Sequence, residues 1–139
     1  MSRLSIRCWL QLAVLFMLLM TTVSDASFIV PKKKTVKITN DLGPKLGLKL
    51  HCKSKNDDLG EQQVPYKGSF SFRFRPNPWG TTRFYCQMKW QNIIRWFDIY
   101  VDDRDFERCV VCEWRIQASG PCLLNSDTGK FDICFPWNP

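Results

Sequence analysis

The chain has 139 residues, of which 45% are hydrophobic, 14% aromatic and 24% charged, with a formal net charge of +7, seven cysteines and one histidine. That length holds one domain, and its aromatic and apolar content exceeds what a charged disordered chain carries. Seven glycines and eight prolines exclude a collagen-like repeat, one histidine excludes any mechanism needing two imidazoles, and an odd cysteine count cannot close into a full set of disulfides.

The first element is a leader. Arg3 and Arg7 precede an apolar stretch from Leu10 to Met20, and small residues stand at Ser24 and Ala26. This order of charge, apolar run and small residues is that of a secretory signal peptide, with cleavage expected after Ala26. An uncleaved anchor needs roughly 20 apolar residues, more than the run from Cys8 to Val23 supplies. Cleavage would leave residues 27–139 as one domain. Loss of Arg3, Arg7 and Asp25 would take the net charge from +7 to +6, and loss of Cys8 would leave six cysteines.

Residues Ser27 to Lys34 form a basic arm, and beyond them apolar residues recur with period two, the mark of half-buried strands. Val36 and Ile38 begin the pattern. Leu46, Leu48, Leu50 and Cys52 follow, then Phe70, Phe72 and Phe74. Phe84, Cys86, Met88 and Trp90 share one phase, as do Phe97, Ile99 and Val101. Cys112, Trp114 and Ile116 form another set, and Phe131, Ile133 and Phe135 close the chain. Turn-forming clusters at residues 40–44, 56–60, 76–80, 102–105, 119–121 and 125–129 separate these runs. Seven to eight short strands in about 110 residues point to an all-β fold, a small antiparallel β-sandwich.

Six cysteines in an exported domain read as three disulfides. Zinc is disfavoured because Cys109 and Cys112 are the only short-spaced pair, where a structural site takes two. Cys122 and Cys134 flank a hairpin with arms Cys122–Leu124 and Lys130–Cys134, so they are expected to bridge across it. Cys109 and Cys112 are not expected to pair with each other, since that spacing usually makes a redox motif. That leaves Cys52 and Cys86 each joined to one of Cys109 and Cys112, with both sortings open and Cys86–Cys112 with Cys52–Cys109 the one favoured.

Few residues offer chemistry. His51 lies on the outward phase of a strand, and no Gly-x-Ser-x-Gly elbow accompanies it. Asp57 with Asp58, and Asp102 with Asp103 and Asp105, sit in turns and lack the calcium-loop pattern. No catalytic residue, metal ligand or cofactor is assigned. Lysines crowd the first third of the domain (Lys32, Lys33, Lys34, Lys37, Lys45, Lys49, Lys53, Lys55), and Arg73, Arg75, Arg83 and Arg95 lie among aromatics. Such a surface suits anionic lipid, cell-wall polyanions or an acidic receptor face, or serves only as a solvated strand face.

Several blocks resemble a known family. Val36-Lys37-Ile38-Thr39-Asn40-Asp41-Leu42 and Leu48-Lys49-Leu50-His51-Cys52-Lys53-Ser54-Lys55-Asn56-Asp57-Asp58-Leu59-Gly60 are similar to the plant self-incompatibility S-protein homologues. So are Gly68-x-Phe70-Ser71-Phe72, Thr82-x-Phe84-x-Cys86, Phe97-Asp98-Ile99-Tyr100, Cys109-x-x-Cys112-x-Trp114, Gly120-Pro121-Cys122 and Phe131-Asp132-x-Cys134. The likeness runs from residue 35 to 137, and Asn56 stands where the family often has an acid. It implies a secreted β-sandwich without catalytic activity. The founding members, in poppy, are pistil ligands of a pollen receptor. Some relatives keep only the four cysteines matching Cys52, Cys86, Cys109 and Cys112, which fits a self-contained Cys122–Cys134 bridge.

The resulting expectation is a secreted, extracellular, monomeric signalling protein that binds a plant cell-surface receptor, with no nucleic acid partner and no stable membrane insertion. A cationic defence protein acting on membranes or cell-wall polyanions is the alternative. Recognition is expected on loops carried by a rigid scaffold. The candidates are the loop from Lys55 to Gln63, with Lys55, Asn56, Asp57 and Asp58, and the loop from Asn77 to Arg83, with Trp79 and Arg83. Trp79 beside Gly80 is either an exposed anchor or a buried turn residue.

Overall fold

Alternation of Val36 and Ile38 with Lys37 and Thr39 puts one face of the first strand into a core and the other into water. The same rule builds most of the other strands in the computed structural model, which describes residues 3–26 and 30–139. Arg3–Ala26 forms helix α1. Residues 1–31 and 32–139 are separate compact units, and among the described residues no helix is long and apolar enough to cross a membrane.

The second unit holds nine strands: β1 (Lys34–Asn40), β2 (Leu48–Lys53), β3 (Asp58–Val64), β4 (Ser69–Phe74), β5 (Arg83–Trp90), β6 (Ile93–Val101), β7 (Val111–Gln117), β8 (Gly120–Asn125) and β9 (Lys130–Cys134). A four-residue helix, α2 (Asp102–Asp105), follows β6. Two sheets form, ordered β4-β1-β7-β8-β9 and β3-β2-β5-β6. Their inner faces enclose Ile38, Leu50, Met88, Ile99, Trp114 and Ile116, all fully buried. All pairs are antiparallel except β1 with β7, where Val36 lies opposite Cys112 and Ile38 opposite Trp114 in parallel register.

Strand β3, additional to the seven to eight expected, explains one departure from the expected loops. Asp58-Leu59-Gly60-Glu61-Gln62-Gln63 shows no apolar alternation, yet it forms most of β3. It is an edge strand with five of its seven residues polar or glycine, and it pairs only with β2. The expected Lys55–Gln63 loop therefore shrinks to a turn closed by the Ser54 N–H on the Asp57 carbonyl at 2.8 Å.

The disulfides correct two expected pairings. Cys52 bridges Cys86 and Cys109 bridges Cys112, in place of Cys52–Cys109 and Cys86–Cys112. Cys52 and Cys86 stand directly opposite each other in the β2–β5 ladder, with Cα atoms 4.0 Å apart. Cys86 and Cys112 lie on different sheets, and facing sheets stand about 10 Å apart, beyond the ~7 Å Cα limit of a bridge. Cys109 turns back on Cys112 where the chain leaves α2 for β7. Cys122 bridges Cys134 across the β8–β9 ladder, Cα to Cα 4.0 Å.

Buried polar groups hold the ends of the sandwich. Lys34 belongs to β1 and is buried, not part of a solvated basic arm. Its Nζ donates to the carbonyls of Phe106 and Cys109, the latter at 2.7 Å. Burial lowers its pKa, against the pull of Asp102 and Asp105. Asn40, read as part of a turn, ends β1 fully buried. Its amide donates to the carbonyls of Leu46 at 2.7 Å and Val64 at 2.9 Å, so one side chain joins the two sheets.

The acidic run 102–105 likewise is not a solvated turn. Asp105 is 0% exposed and accepts from Arg104 Nε at 2.8 Å and Nη2 at 2.7 Å. The Arg104 guanidinium lies about 5 Å from the ring centres of Phe97, Trp114 and Phe135 and donates to the Asp98 carbonyl at 2.7 Å. The C-terminal segment closes the same side, with the Asn138 N–H on the Trp96 carbonyl at 2.9 Å. Together these groups cover part of the outer edge of β6. Gly120 lets this segment in, because at φ +144° a Cβ there would come within 2.2 Å of the Phe135 carbonyl oxygen.

Candidate functional site

Both loops singled out from the sequence converge on one cleft of about 440 Å³ at the end of the sandwich. Lys55, Asn56 and Asp57 form one wall, from the turn between β2 and β3. Trp79 and Arg83 form the other, from the β4–β5 connection. Asp58 is not among the lining residues. It faces the outer surface of the four-stranded sheet, where His51 Nε2 lies 2.6 Å and Lys53 Nζ 3.8 Å from its carboxylate. The hydrogen bond with His51, followed by one from the Gly60 N–H, holds the Asp58 carboxyl below the usual carboxylate range.

The Trp79 loop is ordered by one side chain. Asn77 Oδ1 accepts from the Trp79 and Thr81 N–H groups, each at 3.1 Å, and Asn77 Nδ2 donates to Thr81 Oγ1 at 2.9 Å. This is the local side-chain turn chemistry that suits Asn to such positions. Gly80 at φ +75° supplies the left-handed residue. With the backbone turned this way, Trp79 is 81% exposed and is not a buried turn residue.

The loop is tied to the body beneath it. The Thr82 N–H donates to Asp102 Oδ2 at 3.1 Å, the Asp102 N–H returns to the Thr82 carbonyl at 3.2 Å, and the Tyr100 hydroxyl donates to Asp102 Oδ1 at 2.7 Å. Burial, then the adjacent Asp102 carboxylate, pushes the Tyr100 hydroxyl well above its ordinary pKa. Asp102 is thus the buried footing of the Trp79 loop.

Arg83 stands at the cleft mouth and donates to Asp98 at 2.8 Å, a bond that raises its pKa. Its guanidinium lies 4.7 Å over the Tyr85 ring. Burial opposes ionisation of Asp98, but hydrogen bonds from Arg83 and Asn138 overcome it and hold the carboxyl below its ordinary value. The remaining lining includes Arg75, Asn77, Thr81 and Thr82, with Phe74 and Phe84 at 4.6 Å centroid separation on the core side. The sequence signalled Asn77 only as a turn residue, and Thr82 and Asp102 carry no local mark of their joint role.

The lining contains no histidine or cysteine, so it holds no imidazole–thiol pair. Among the described residues, no group of three His, Cys, Asp or Glu side chains is placed to hold a metal ion. What the cleft offers is an exposed indole, hydrogen-bonding amides and hydroxyls, and cationic groups.

Comparison with known proteins places this architecture. S-protein homolog 29 of Arabidopsis thaliana is 40% identical over 126 residues, spanning 90% of this chain and 93% of that protein. S-protein homolog 3 of the same plant is 48% identical over 109 residues, spanning 76% and 73%. A solved structure described as that of self-incompatibility protein homologue (SPH) proteins, "a widespread family of small, highly stable, secreted proteins from plants", superposes with a TM-score of 0.52. It is 23% identical and covers 78% of this chain and 97% of that one, a likeness of fold. The family model for plant self-incompatibility protein S1 matches residues 35–137, which is nearly the whole sandwich, from the second residue of β1 into the closing segment; the chain belongs to that family.

Proposed function

We propose that residues 1–26 are removed on export and that residues 27–139 act as a secreted, non-catalytic recognition protein, docking through the cleft onto a receptor at the plant cell surface. The supporting observation is the convergence of the two loops around Trp79, an exposed aromatic held by Asn77 on a buried footing. Aromatic anchors on rigid supports are the usual centres of binding energy, and ordering the loop before binding lowers the entropy cost of docking. The reading takes the protein as a monomer, and partial cover of β6 closes one of the four sheet edges to strand pairing between copies.

The test is saturable binding of the exported, purified protein to plant cells, compared with Trp79→Ala. Docking through the cleft requires the variant to lose binding while keeping its thermal unfolding midpoint. A membrane-active defence protein would instead release dye from anionic vesicles with strong salt dependence. Leakage at low protein concentration without saturable cell binding would overturn the recognition reading.

A further inference from the structure

We propose that the cleft takes an acidic oligosaccharide, a chain of uronic-acid residues, with a sugar ring against Trp79 and carboxylates on Lys55, Arg75 and Arg83. This rests on the reading of the cleft as the docking surface and names the chemistry of what docks there. Charge is the first ground. Lys55, Arg75 and Arg83 line the cleft with Asp57 as the one acid of the lining; Arg83 engages Asp98 outside it through Nη2, and guanidinium groups bind carboxylates with two parallel hydrogen bonds.

The distribution of apolar surface is the second ground. Phe84 is buried and Phe74 half-buried, leaving Trp79 as the exposed aromatic ring of the lining. Around it stand hydroxyls and amides of Ser54, Asn56, Asn77 and Thr81. A protein partner is anchored by a contiguous apolar centre sealed from water, and this lining provides none. A single indole face set among hydrogen-bonding groups matches a pyranose ring, which has an apolar face and a hydroxyl-bearing edge.

Continuity beyond the cleft is the third ground, and it favours a chain over a single sugar acid. Arg83 stacks on Tyr85, and the Tyr85 ring centre lies 6.3 Å from that of Trp96, which is also exposed. The stripe Arg83–Tyr85–Trp96 therefore carries cationic and aromatic surface out of the cleft and across the outer face of the four-stranded sheet.

For the test, the full chain is expressed through a secretory pathway and the exported protein is titrated with oligogalacturonate. Tryptophan fluorescence and backbone amide shifts report binding. Methyl-esterified oligogalacturonate, polyglutamate and anionic phospholipid vesicles are titrated in parallel. Saturable binding of the free acid is expected, weaker by roughly tenfold or more for the ester, for Trp79→Ala and for Lys55→Glu, and declining with salt. Lys130→Glu changes the net charge equally at the exposed start of β9, outside the cleft lining, and should shift affinity by less than about twofold.

Equal binding of the ester, or equal loss in Lys130→Glu, would overturn the proposal. So would tighter binding of polyglutamate or of vesicles at the same residues, which would assign the cleft to an acidic peptide or a membrane. If Trp79→Ala and Lys55→Glu abolish cell binding but oligogalacturonate does not bind, docking stands and the sugar proposal falls. If cell binding survives both substitutions, the docking reading itself falls.

Discussion

Replacing each disulfide by paired alanines separates what the three bridges contribute. The bridges span 34 residues for Cys52–Cys86, 12 for Cys122–Cys134 and 3 for Cys109–Cys112. In the chain-entropy account, a bridge stabilises by removing loop freedom from the unfolded chain, and its effect grows with the logarithm of loop length. Those spans give about 3.8, 2.8 and 1.6 kcal/mol in that order. Unfolding entropy is about 2.1 cal/mol/K per residue, or about 0.23 kcal/mol/K for a unit of this size, so the expected drops in Tm are about 17, 12 and 7 °C. Differential scanning calorimetry of Cys52→Ala/Cys86→Ala, Cys122→Ala/Cys134→Ala and Cys109→Ala/Cys112→Ala measures them directly. Core packing reinforces the ranking at the top, because Cys52 and Cys86 are both buried. A Cys109–Cys112 deletion that lowers Tm as much as the Cys52–Cys86 deletion would refute the entropic reasoning and point to native-state contacts around α2.

Asp105→Ala should cost about 3–5 kcal/mol in denaturant unfolding, because it strands the Arg104 charge among aromatic rings; Arg104→Leu with Asp105→Ala should cost less than the single change. Acid should destabilise the domain through Asp98 and Asp58. Each carboxyl has a lowered pKa when folded, so its stabilisation is fully present above the unfolded value near 4 and is lost as pH falls through the folded value. Asp98→Asn should flatten the Tm–pH curve below pH 4, and an unchanged slope would exclude the Arg83–Asp98 pair as a cause. Asn77→Ala should leave global Tm within roughly 1–2 kcal/mol equivalent but speed amide exchange at Trp79 and Thr81, whose N–H groups it frees.

How much of this was legible depends on which force fixed each residue. β1, β2 and β5 announce themselves because each buries one face, so Val36, Leu50 and Met88 alternate with polar neighbours. β3 does not, because an edge strand with one partner and little buried surface needs no apolar period. The cysteine pairs were hidden for a different reason. Cys52–Cys86 depends on which strands are neighbours in a sheet, and strand order is a nonlocal property that alternation does not encode. Lys34, Asp102 and Asp105 looked like solvated charges, since nothing in a local window reveals that α2 and the start of β1 meet. The two candidate loops were visible from turn chemistry, but their junction in one cleft required the β2–β5 pairing that brings their strands side by side.

The parallel β1–β7 pair has a consequence for the time course of folding. Val36 pairs with Phe72 on one side and with Cys112 on the other, so an interior strand of the larger sheet is made first and gains its second partner only when β7 appears. At synthesis rates of roughly 5–20 residues per second, the interval between Val36 and Cys112 is about 4–15 s. Throughout it, the strand Thr35–Thr39 has an open flank, and every strand of the smaller sheet is synthesised before the one that closes it. Non-local pairings of this kind fold slowly. The nascent chain therefore carries an unsatisfied sticky edge through most of its own manufacture, which makes the period before β7 emerges the one most exposed to mispairing.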